Sequence, residues 1–162
     1  MNKKTTINSA MKKVLKSKNS YIGVSFQKKE ISNEILSFFN QVRLYQKYDK
    51  KCFSTDNIFE SDVNLHNVDM SVAEWEWDTN EIYLDKMLIK RQYKKSILLS
   101  IDIIEKTLLE KFPGNSFVIS FCIQFGRFRN INIRICQDLG IPILDEDLDK
   151  YSQPVMQVYL TT

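Results

Sequence analysis

A single histidine, His66, serves 162 residues, and that scarcity removes His-built zinc sites and Ser–His–Asp nucleophiles from consideration. Glycine and proline are nearly as thin, with four of the first and three of the second, most of them after residue 110. The chain accordingly has no low-complexity linker and no internal repeat. Cysteines are three, Cys52, Cys122 and Cys136, an odd count without metal-ligand spacing. Two of them sit in apolar-periodic segments, as free buried thiols do, which points to a reducing compartment and a cytoplasmic protein. Apolar runs are short and broken by charge, so no membrane span is expected. The first residues lack the apolar stretch of a secretory signal.

What is present is ordinary globular material, 43% hydrophobic and 27% charged, at a length that suits one domain. Charge is unevenly placed. Residues 1–20 hold six lysines and no acid, and the remaining 17 basic and 20 acidic residues leave the body at −3. The expected organisation is a basic, flexible leader over 1–19 followed by a single domain over 20–162. Contact with nucleic acid is expected only through residues 1–20.

Hydrophobic periodicity divides the domain into short elements. Ile22, Val24 and Phe26 predict a strand over 20–28, and Ile35, Leu36, Phe39, Val42 and Leu44 a helix from Ser32 to about Tyr48. Residues 49–66 read as a polar, irregular loop with short pieces of structure. Alternation predicts a strand from Val68 to Trp77, a turn at Asp78-Thr79-Asn80 and a return strand from Glu81 to Lys90. Ile97, Ile101, Ile104, Leu108 and Phe112 mark a helix over 96–112, stopped by Pro113-Gly114. Phe117, Ile119, Phe121, Ile123 and Phe125 mark a strand over 116–125. Ile131, Ile135 and Leu139 suggest a helix over 128–139, and two short strands, 142–144 and 154–160, close the chain. The fold class is α/β (mixed, α+β-like), with a strand–helix–strand crossover at 81–125 making a parallel pair.

Residues 84–99, LDKMLIKRQYKKSILL, resemble the central signature of the GNAT superfamily of N-acyltransferases: Leu84, Met87, Leu88, Ile89, Tyr93 and Lys94 fall in step with it. Ile135, Leu139, Gly140 and Ile141 are similar to that family's later helix, and VMQVYL at 155–160 to its last strand. The resemblance covers about 68–160. It implies a twisted mixed sheet with helices on both faces, and transfer of an acyl group from acetyl-CoA or another acyl-CoA to an amine of a small molecule or protein. It further implies that the strands at 81–90 and 116–125 splay to admit the pantetheine arm, paired by backbone near Met87, Leu88 and Ile89. The pyrophosphate would lie over Lys94, Lys95, Ser96, Ile97, Leu98 and Leu99 at a helix start. Where the family carries loop glycines this chain has Lys95, Ile97 and Leu99, so lysine charge would have to assist the amides.

The resemblance puts Glu81 near the family's general base and Cys136 at the position of its general acid, and Asp85 is the further acid on the same strand. No metal ligand set is expected. Glu74 and Glu76 alternate with Trp75 and Trp77, which reads as one wet face and one core face or as an acid pair beside an aromatic wall. Phe125, Arg127, Phe128 and Arg129 interleave rings and cations, a composition of turns with partly buried rings and also of surfaces that stack a coenzyme adenine or RNA bases. The alternatives to a transferase are a GNAT-fold binding or regulatory protein without the chemistry, and a nucleic-acid-associated accessory protein. Whether the chain pairs as a homodimer is left open by its sequence.

Overall fold

The computed structural model describes residues 2–17, 26–47, 50–56 and 68–161. Its centre is a five-stranded sheet in the order β1-β7-β5-β6-β4, formed by Asn2–Ile7 (β1), Glu81–Asp85 (β4), Phe117–Gln124 (β5), Asn130–Gln137 (β6) and Val155–Thr161 (β7). Arg43–Lys47 (β2) and Lys50–Ser54 (β3) form a separate two-stranded hairpin. The helices are Ser9–Lys16 (α1), Lys28–Gln41 (α2), Val68–Thr79 (α3), Lys86–Ile89 (α4) and Tyr93–Lys111 (α5). The α/β class holds. Every pairing within the large sheet is antiparallel, so the sheet is not mixed in strand direction.

One face of this sheet carries the core. Ile119, Ile135 and Val158 lie in register across three strands, flanked by Phe117, Phe121 and Ile133, all buried. Ile97, Ile101, Ile104 and Leu108 of α5, Ile31, Ile35 and Phe39 of α2, and Met11 of α1 belong to the same cluster. Phe53 meets Phe112 and Phe117 edge-on at 4.9 and 5.0 Å, tying the hairpin to the sheet end. These helices therefore share one face, where the resemblance had implied helices on both. The opposite face, covered by the segment 138–153, is polar.

Four expectations are corrected. The segment 68–77 is helix α3. Its described buried residues are Val72, Ala73 and Glu76, with Asn80 buried just past its end, a set half polar, so apolar alternation could not reveal it. The segment 128–139 is strand β6: between Ile131 and Ile135 lies Ile133, and all three point inward at period two, the pattern β-branched residues favour. The strand from Glu81 ends at Asp85, whose carboxylate accepts from Met87 N at 2.7 Å and Leu88 N at 3.0 Å and so caps α4. Residues 142–144 form no strand.

The leader also departs from its expected form. Asn2–Ile7 is the edge strand β1, registered on β7 from Asn2↔Thr161 to Ile7↔Met156, and α1 seats Met11 in the core. Lys3 pairs with Glu105 at 2.5 Å and Lys4 lies 5.8 Å over the Tyr159 ring. The helix expected from Ser32 runs Lys28–Gln41 and gives way to β2; the strand expected over 20–28 falls largely outside the described residues. Among the described residues, no helix is long and apolar enough to cross a membrane.

Candidate functional site

The crossover from β4 through α5 to β5 returns the chain in the same direction, but not beside β4. Strand β6 lies between them and hydrogen-bonds to both, with Arg134 opposite Glu81 on one side and Ser120 on the other. The splayed cleft implied between 81–90 and 116–125 is therefore absent, and its place is filled by backbone pairing. Of the residues expected there, Ile89 and Ile97 are fully buried in the core, while Met87 is 64% exposed. Leu88 and Leu99 pack partly buried against that core, and Leu98 is exposed on α5. The N–H of Ser96 is spent on Gln92 O at 2.9 Å, because α5 begins at Tyr93 and not at Ser96. Only Lys94 and Lys95 of the expected phosphate turn stay in a first helical turn.

The three expected catalytic groups share the polar sheet face but do not converge. Asp85 is occupied as the cap of α4. Replacing it with alanine should cost about 1 kcal/mol in urea unfolding, the worth of an N-cap. Glu81, on the edge strand, accepts from the Asn132 amide and faces Arg134 at 3.7 Å. Cys136 is 3% exposed, and burial together with the Glu76 and Asp138 charges pushes its thiol up to about 12. It stays protonated and is no proton donor near neutral pH.

What the polar face does form is a trough. Thr6, Gln157, Ser120, Arg134 and Glu81 make one cross-strand row over all five strands. Gln157 donates to Ser120 Oγ at 3.4 Å and accepts from Tyr159 Oη at 3.1 Å. The segment 138–153 runs along this face and leaves a cavity of about 450 Å³ beneath it, floored by Gln157, Tyr159 and Cys136 and walled by Trp77, Ile143 and Leu144. Among the described residues, Lys4, Asp138 and Glu146 are its charged lining. A second hollow of about 260 Å³ continues past Trp77 and Leu144 over Ser120, Cys122 and Asn132. Trp77 stands between the two, with the Arg134 guanidinium 5.0 Å from its ring and Asp78 3.7 Å from that guanidinium.

Two buried side chains hold the walls. Asn8, 1% exposed, donates to Leu148 O, Tyr151 O and Gln153 O at 3.3, 3.2 and 2.8 Å and accepts from Met11 N and Val155 N at 2.8 and 3.0 Å. It thus caps α1 and fastens the far end of the covering segment in one residue. Asp149 adds a bond from Ser9 N at 2.6 Å. At the near end, Glu76 is fully buried and accepts from Phe53 N, Gln137 N and Gln137 Nε2, each at 2.6 Å. It joins α3, and hence Trp77, to β3 and β6. Desolvation raises its carboxyl to about 7 against the pull of those three donors.

Of the residues with an expected role, Cys136 and Trp77 line this trough, the first as floor and not in the acyl-transfer cleft where it was expected; Asn8, Gln157 and Tyr159 had no expected role. An asparagine immediately before Ser9 and the apolar Met11 was the available signal for a helix cap. Searches against protein-family models, curated proteins and solved structures match nothing to this chain.

Proposed function

We propose that the chain is a binding protein that takes a small amine, carried on a flat or apolar body, in the trough beneath 138–153. The observation that carries this reading is the 450 Å³ cavity, a volume in the range of small-molecule sites, set over buried polar groups of the sheet. Among the described residues that line it, two acids, Asp138 and Glu146, outnumber one base, Lys4, which favours an ammonium. Trp77, Ile143 and Leu144 offer the apolar wall for the rest of the ligand. This is the binding alternative to acyl transfer. Transfer from an acyl-CoA requires a path for the pantetheine arm, and supporting the binding reading is the closed ladder β4-β6-β5 where that path would run.

Calorimetric titration of tryptamine and of indoleacetate, the same ring with opposite charge, tests it. Tryptamine should bind saturably at one site and indoleacetate at least tenfold more weakly (about 1.4 kcal/mol). Glu146→Gln, an exposed change that the fold tolerates, should narrow the gap. Equal affinity, or binding of neither, contradicts the reading. Release of free thiol from acetyl-CoA in the presence of tryptamine would restore the transferase instead.

A further inference from the structure

We infer that the end of the molecule formed by the β5–β6 turn, α4 and the first turn of α5 is a docking surface for single-stranded nucleic acid. The register brings these pieces together: Asp85, Asn130 and Gln124 end their strands side by side, so residues 125–129 stand next to 86–95. The edge-on contact of Tyr93 with Phe125 at 5.5 Å joins the turn to α5. The Asn130 amide donates to Gln124 Oε1 at 2.9 Å, to Phe128 O at 2.8 Å and to Tyr83 Oη, which sets the turn's shape.

The surface has the two properties a single strand needs. Phe128 is 75% exposed and Phe125 57%, large rings that the fold leaves in solvent where bases could stack. Segments 83–95 and 124–130 also carry seven Lys and Arg side chains against one acid, Asp85, and that carboxylate already serves the Met87 and Leu88 amides. Arg127 lies 5.6 Å from the Phe128 ring, so cation and ring present together. The first turn of α5 contains no acid and no capping side chain, and a phosphate would meet its positive end beside Lys94. Lys90 and Arg91 take the left-handed backbone, at φ 41° and 62°, to turn the chain tightly between α4 and α5. An acidic peptide would pair with the cations but has no use for the exposed faces of Phe125 and Phe128. A base-bearing polyanion uses both, which decides between them.

This surface is distinct from the trough and independent of what the trough binds. It also differs from the leader expected to meet nucleic acid, whose Lys3 and Lys4 are engaged on the sheet. The test is fluorescence anisotropy with fluorescein-labelled oligouridylate and oligothymidylate of about twelve nucleotides, a length that spans such a site. Saturable binding of either is expected, weakening as salt rises, and the preference between them identifies RNA or DNA as the source. Phe128→Ala should weaken binding about tenfold with unchanged thermal midpoint, since the ring supports no core. Lys94→Ala with Arg127→Ala should flatten the logarithmic salt slope by about 1.4, two phosphate contacts on a single strand. Absence of binding at low salt overturns the inference. So does insensitivity to Phe128→Ala, or equal displacement by polyglutamate or by phosphatidylglycerol vesicles, either of which would reduce the surface to a generic patch of positive charge.

Discussion

Glu76→Gln is expected to abolish a loss of stability of about 3 kcal/mol that the native protein undergoes as pH rises from about 5 to about 8. In the unfolded chain this carboxyl releases its proton near 4.5; buried among α3, β3 and β6 it holds the proton to about 7. Between those values the folded state binds more protons than the unfolded state. Raising the pH therefore favours unfolding, and the contribution, complete below 4.5, is lost as pH passes through about 7. Glutamine has no proton to lose. It keeps the side chain's shape, though its NH₂ must face at least one of the three donors, so the variant should be about 1–3 kcal/mol less stable at acidic pH. Urea midpoints at both pH values for both proteins read the effect. Every other titratable group is common to the pair, so the difference belongs to Glu76. Parallel pH slopes would contradict the assignment.

Asn8→Ala should destabilise the chain by about 3 kcal/mol or more. One amide satisfies three carbonyls of 148–153 and two backbone N–H groups, and alanine strands most of them away from water. The covering segment lies across the trough, so ligand affinity should fall with stability. Asn8→Asp separates the two roles. Its oxygens keep the cap of α1 and the bond from Val155 N, but it cannot donate to Leu148, Tyr151 and Gln153. Its second carboxylate oxygen would instead face those three carbonyls in a buried site. This variant should therefore be no more stable than alanine although the cap of α1 is kept, and tryptamine binding should stay weak. A cost below about 1 kcal/mol for alanine would show that the segment is held by other contacts.

The parts of the fold legible in the sequence were those where burial and hydrophobicity coincide. Helix α5 announced itself through Ile97, Ile101, Ile104 and Leu108, β5 through four alternating apolar residues, and β7 through its closing run. Helix α3 was unreadable because Glu76 occupies its inner face and Asn80 is buried just past its end, where hydrogen bonds replace apolar contact. Strand β6 misled because its isoleucines satisfy a four-residue spacing as well as a two-residue one. The edge strand β1 looked like a solvated tail since its lysines point to Glu105 and Tyr159 rather than into a core. The trough shares that difficulty. Lys4, Trp77, Cys136, Gln157 and Tyr159 come from four elements; strand register gathers all but Trp77, which Glu76 brings in with α3. Once β6 is known to separate β4 from β5, the motif spacing around 84–99 loses the cleft that gave it meaning, while its lysines keep their place at the start of α5.

The central claim, that the trough under 138–153 is the binding site, is tested most directly by nuclear magnetic resonance of uniformly labelled protein titrated with tryptamine. The indole N–H of Trp77 and the side-chain amides of Gln157 and Gln153, all lining the two hollows, should shift together with a single affinity. The indole of Trp75, whose N–H is bonded to Asp56 O outside the trough, should stay in place. Shifts confined to the exposed acids around Asp145 and Asp147, with the Trp77 indole unmoved, would mean that the amine meets only surface charge and that the trough is not where this protein binds.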